Sequence, residues 1–106
     1  MSILAKSDIL LKLKQLQPLF EKEHVKLLGL FGSYSRDEAK EDSDVDILIE
    51  TTPLFLEKNR GWDAFVKLDD LRDILKKSFG KNIDIVDKQG LLDHKNTLIL
   101  EKTIYV

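Results

Sequence analysis

Apolar positions along this chain fall into two helical stripes with short apolar runs between them. Ile9, Leu10, Leu13, Leu16 and Phe20 follow helical spacing, which predicts an amphipathic helix over residues 7–22. Ser7 or Asp8 is the expected N-cap, and Pro18 should kink the helix or end it near Gln17. Val25 to Phe31 is short and apolar and is followed by Gly32, so it reads as a buried strand. Residues 33–43 are polar and read as a loop with one helical turn. Val45, Ile47 and Ile49 then alternate with Asp44, Asp46 and Leu48, a second strand that Thr51, Thr52 and Pro53 should end. Gly61 to Lys77 predicts the second long helix, with Phe65, Leu68, Leu71, Ile74 and Leu75 as its apolar stripe and Gly80 as its stop. Ile83 to Val86 reads as a third strand, with Ile83 and Ile85 on one face and Asp84 and Val86 on the other. Leu91 to Glu101 predicts a last helix, and Ile104-Tyr105-Val106 a short edge strand.

Helices and strands interleave, so the expected class is α/β (α+β): a small mixed sheet of three to four strands packed by helices. The 106 residues suit one domain, 1–106. Seventeen Lys and Arg stand against 19 Asp and Glu, a net charge of -2. A sequence-independent nucleic-acid binder needs a basic excess, so no direct nucleic-acid contact is expected. The longest apolar stretch, Leu27 to Phe31, is far short of the roughly 20 residues of a membrane span. Lys6, Lys12 and Lys14 interrupt any signal-peptide core, which places the expected location in the cytoplasm. With no cysteine, a disulfide scaffold, a thiolate zinc site and a cysteine nucleophile are all excluded.

Charge is distributed unevenly. Between Asp37 and Glu50 there are seven acids and one base, Lys40. A solvated loop accounts for Asp37 to Asp42. It accounts poorly for Asp44 and Asp46, which lie two apart on an apolar strand and therefore share a face. Like charges so close repel, and a divalent cation between them converts that cost into binding. Oxygen ligands favour magnesium, manganese or calcium. A calcium loop starting at Asp42 fails, because its sixth position is Ile47 and its twelfth Pro53. Gly32-Ser33, at the end of the preceding strand, is by itself a turn. Glycine also allows a backbone to approach a phosphate, and serine adds two donors.

Leu-Phe-Gly-Ser at 30–33, ten residues, then Asp-Val-Asp at 44–46 resembles the signature of the DNA polymerase beta-like nucleotidyltransferase superfamily, and within it the minimal nucleotidyltransferase (MNT) group. Gly80 to Leu91 resembles that group's third-carboxylate strand. The resemblance implies the polymerase beta-like fold and a set of roles. Asp44 and Asp46 would hold two magnesium ions, and Asp84 would complete the carboxylate triad and help activate the acceptor hydroxyl. Gly32, Ser33 and Arg36 would bind the nucleotide's phosphates. The implied reaction is attack of a hydroxyl on the α-phosphorus of ATP, with pyrophosphate leaving. Asp37 departs from the group's usual glycine and Glu41 from its common proline. Both add negative charge near the phosphate pocket.

The catalytic elements use nearly all of the chain, so a partner is expected to present the acceptor. By resemblance that partner is a HEPN ribonuclease toxin, with AMP passing to one of its tyrosines and this chain acting as antitoxin, as a homodimer or a hetero-oligomer with the toxin. Two alternatives stay open: an antitoxin that only masks its partner, and a transferase for a small molecule. Trp62 is expected to pack, His24 and His94 to lie on the surface without forming a zinc site, and Tyr105 to pack on the core or a second subunit.

Overall fold

The computed structural model describes residues 4–93, 95 and 97–106. Helix α1 (Lys6–Lys22) leads into β1 (Val25–Phe31), a single turn α2 (Gly32–Ser35) and, after a polar loop, β2 (Val45–Thr51). Then follow α3 (Pro53–Lys58), α4 (Trp62–Phe79), β3 (Ile83–Asp87), α5 (Lys88–Asp93), α6 (Leu98–Lys102) and β4 (Ile104–Tyr105). The strands form one mixed sheet in the order β3-β2-β1-β4. β1 pairs antiparallel with β2 and β4, while β2 pairs parallel with β3. A parallel pair needs a crossover, and α3 and α4 supply it.

Alternation along β2 sends Val45, Ile47 and Ile49 to one face, where they are buried with Val25, Leu27 and Leu30 of β1. Ile9, Leu13 and Phe20 of α1 and Leu71, Leu75 and Phe79 of α4 complete that core. Asp46 and Leu48 point the other way. Leu48 is fully buried there, and α5 packs on β2.

Several sequence expectations are corrected. Helix α1 starts one residue earlier, with Ala5 at the N-cap position and no side-chain cap, so neither Ser7 nor Asp8 caps it. It also runs through Pro18 to Lys22. Tertiary contacts offset the missing backbone bond: Phe20 is fully buried, and the Gln17 amide grips β1 through Leu27. Gln17 Nε2 donates to the Leu27 carbonyl at 2.7 Å, and the Leu27 N–H donates to Gln17 Oε1 at 2.8 Å. The single helix expected over 91–101 is two short ones, with Lys95 left-handed (φ 55) between them. The stretch after Thr52 is helical as α3, with Pro53 in its first turn and the Thr52 hydroxyl accepting from the Phe55 N–H. Phe65 does not join the α4 stripe. It is 67% exposed, as Trp62 is 77% exposed, and the two rings lean on each other with centroids 5.5 Å apart. Tyr105 is half exposed rather than packed in the core, and its hydroxyl donates to the Leu100 carbonyl at 2.8 Å. His24 is partly buried in a left-handed turn (φ 65), where its carbonyl accepts from both Thr52 N–H and Thr52 hydroxyl. His94 lies outside the described residues.

Candidate functional site

β1 ends by turning sharply at Gly32 (φ 75), a conformation that side chains resist. Space adds a second requirement. A Cβ on Gly32 would stand 2.0 Å from Oδ2 of Asp46, so the bare backbone lies against that carboxylate. Register explains the contact, because Asp46 is paired with Phe31, the residue before the turn. On its other side Asp46 is paired in parallel register with Asp84. Asp44 sits just before β2, one residue outside the strand and exposed. Two carboxylates thus occupy adjacent strands at the same level, with a third two residues up the chain from one of them.

Asp46 pays for this position. Burial raises its pKa first, the charges of Asp84 and Asp44 raise it further, and Arg36 lowers it, with the result near 6 rather than 3.8. All three acids predicted from sequence therefore act on one point in the electrostatic sense. Among the described residues no three His, Cys, Asp or Glu side chains already close into a metal cage. The donor set still fits a hard divalent cation: only carboxylate oxygens, negative charge in excess, and an Asp46 that positive charge would relieve. Asp87, on the same strand as Asp84, is committed elsewhere. Its carboxylate accepts from the Thr51 hydroxyl at 2.6 Å and ties β3 to the end of β2.

The Gly-Ser turn is itself braced. Ser35 Oγ donates to the Gly32 carbonyl at 2.6 Å, and the Ser33 carbonyl accepts from the Arg36 and Glu38 N–H groups. Buried Tyr34 anchors the turn in the core. Arg36 caps α2, its Nε donating to Glu38 at 3.2 Å. Asp37, which stands where the MNT group usually has glycine, is left-handed (φ 58), and Lys6 pairs with it at 3.0 Å. The backbone keeps the glycine-like conformation, and a lysine absorbs the added charge. Glu41 lies in a cleft of about 530 Å³ bordered by Asp44, Lys76, Lys81 and Asn82. Lys81 Nζ donates to its carbonyl there.

A smaller pocket of about 200 Å³ is lined by Gly32 and Arg36 together with Phe31, Leu98, Ile99 and Lys102. Sequence reasoning missed the last three. No spacing rule links α6 to the Gly-Ser turn, and only the pairing of β4 with β1 brings them together.

The glycine turn thus lies against the carboxylate of the next strand, with another carboxylate one strand over. A solved chain described as a "putative minimal nucleotidyltransferase" shares this fold, with a TM-score of 0.72 and 24% identity over 100% of both chains. The chain belongs to the nucleotidyltransferase domain family, whose sequence pattern matches residues 7–106, and it is a nucleotidyltransferase. It is 35% identical over 88 residues to "Protein adenylyltransferase MntA" of Thermococcus cleftensis, covering 83% of this chain and 81% of that one. It is 38% identical over 102 residues to "Putative protein adenylyltransferase MJ0128" of Methanocaldococcus jannaschii, covering 93% and 92%. A second protein of that organism, "Putative protein adenylyltransferase MJ1379", is 36% identical over 100 residues. No helix among the described residues is long and apolar enough to cross a membrane.

Proposed function

We propose that this protein transfers AMP from ATP to a hydroxyl of a partner protein, with magnesium held by Asp44, Asp46 and Asp84. The observation that carries the reading is the register that puts Asp46 beside Asp84 and against Gly32. The names of the relatives support a protein as acceptor. So does the exposed apolar face of Trp62, Phe65 and Val66 on α4. Resemblance to the MNT group points to a tyrosine of a HEPN toxin, which would make the protein an antitoxin.

In this reaction the acceptor oxygen forms a bond to the α-phosphorus and the bond to the β-phosphate bridging oxygen breaks, releasing pyrophosphate. Magnesium, when bound, lowers the pKa of the attacking hydroxyl and stabilises the leaving charge. Asp84 faces solvent at the sheet edge, where it takes the acceptor's proton. Gly32 and Ser33 offer backbone and hydroxyl donors to phosphate oxygens, and Arg36 adds positive charge.

The test is to incubate the purified protein with magnesium, α-phosphate-labelled ATP and lysate of its host, beside the Asp44→Asn variant. Label on one protein band with wild type alone is expected, and the band identifies the acceptor. Label confined to small molecules, or to no acceptor at all, would overturn protein adenylylation.

A further inference from the structure

The small pocket beside Gly32 differs in charge from everything around it. Its charged lining residues are Arg36 and Lys102, with no acid, in a chain of net charge -2 whose 37–50 stretch is strongly acidic. The rest of its wall is Phe31, Leu98, Ile99 and the Gly32 backbone. Apolar walls displace water and strengthen whatever charge attraction the two cations supply. Arg36 uses Nε on Glu38, and among the described residues its two terminal NH₂ groups meet no protein acceptor. Lys102 likewise forms no ion pair among the described residues, whereas Lys6 and Lys67 each have a carboxylate at about 3 Å. At about 200 Å³ the pocket is smaller than the roughly 300–1,000 Å³ of sites that hold whole ligands, so it takes part of one.

Direction decides which part. Gly32 lies against Asp46 and also lines this pocket. With the α-phosphate at Asp46, the remaining phosphates can run two ways. Towards Asp44 they would enter a cleft where Glu41, Asp42 and Asp44 stand beside Lys76 and Lys81, so its acids offset its cations. Past Gly32 they meet Arg36 and Lys102. The C-terminal segment holds Lys102 there by design of the chain. The Thr103 hydroxyl donates to the Ile99 carbonyl at 2.6 Å, the Val106 N–H donates to the Leu28 carbonyl at 2.9 Å, and Ile104 pairs with Leu30.

We propose that Lys102 is a nucleotide-binding residue that, with Arg36, receives the β- and γ-phosphates of the nucleoside triphosphate in this pocket. The assignment rests on the nucleotide site proposed above and extends it to a residue that belongs to no motif of the sequence.

The test is calorimetric titration of wild type, Lys102→Ala, Lys102→Arg and the remote α1 variant Lys14→Ala with α,β-methylene-ATP and with AMP, in magnesium. Lys102→Ala should bind the triphosphate analogue about tenfold more weakly and AMP unchanged, because only the triphosphate reaches the pocket. Lys102→Arg should recover most of the loss, and Lys14→Ala should match wild type. If Lys102→Ala binds the analogue as wild type does, or loses the analogue and AMP equally, the assignment to terminal phosphates is wrong. If wild type binds neither compound, the nucleotide site itself falls and this assignment with it.

Discussion

Asp46 sets the interests of the fold against those of the site, and Asp46→Asn separates them. Asparagine keeps the shape of the side chain and removes its charge. In the folded protein burial, then Asp84 and Asp44, hold the Asp46 pKa near 6 against 3.8 in an unperturbed chain. At about 1.4 kcal/mol per pH unit, that displacement corresponds to about 3 kcal/mol against the folded, ionised state. Solvent reaches part of the carboxylate and screens it, so about 1–2 kcal/mol is the expected effect. Between 3.8 and about 6 the folded protein holds a proton that the unfolded chain has released, so this group's contribution to stability falls as pH rises through that window. Above it the full penalty applies. Below it the penalty vanishes.

Urea denaturation without divalent metal should therefore find Asp46→Asn more stable than wild type at about pH 8, by about 1–2 kcal/mol or about 5–15 °C in Tm. The gap should close as the pH is lowered to about 4. Adding magnesium should reverse the order, raising the midpoint of wild type far more than that of the variant. A variant less stable than wild type in metal-free buffer at the higher pH, or a gap that does not change with pH, would refute the electrostatic account of this site.

Two further predictions concern the glycines that let the site assemble. Gly32→Ala should cost about 2–4 kcal/mol in urea denaturation, combining a left-handed alanine with a collision against Asp46 Oδ2, whereas Gly80→Ala, equally left-handed with open space around it, should cost only about 1 kcal/mol; equal losses would mean that the Asp46 contact carries no energy. Gly29→Ala would put a Cβ 2.2 Å from the Ile104 carbonyl oxygen, so β4 should leave the sheet and the Val106 amide, bonded to Leu28, should lose protection in hydrogen exchange, and unchanged protection would refute the tie between Gly29 and the C-terminal segment.

What could be read from sequence had local causes. The two long helices showed themselves by the spacing of residues such as Leu13 and Phe20, or Leu71 and Leu75, all of which are buried. Gly80 stopped α4 in a left-handed conformation, as a glycine after an apolar stripe should. Asp46 drew attention because it and Asp44 lie two apart on an apolar strand, Asp84 because its strand resembles the MNT group's third-carboxylate strand, and the structure pairs Asp46 with Asp84 across adjacent strands. The misreadings had tertiary causes. Pro18 did not end its helix because Phe20 and Gln17 hold the last turn onto β1. Phe65 satisfies helical spacing and still faces solvent, since among the described residues no element covers the start of α4. For α3 the local signal was present in Thr52-Pro53, a cap followed by a first-turn proline, and its other role as a strand stop hid it.

Lys102 was beyond the reach of any local rule, and the reason lies in how the site is built. Its acidic half comes from neighbouring strands, so regular alternation announces it. Its basic half is assembled across the sheet: Arg36 arrives on the turn after β1, and Lys102 arrives on a helix fixed by two residues of edge strand. That edge strand can approach only because position 29 has no side chain, and the turn can reach Asp46 only because position 32 has none. The two glycines stand three residues apart, Gly29 within β1 and Gly32 in the turn that follows it. Gly32 brings the chain against the carboxylates, and Gly29 admits the segment that carries the opposing charge. A carboxylate as enclosed as Asp46 costs the fold stability, and the arrangement on both sides of it is what a bound, metal-chelated polyphosphate would require.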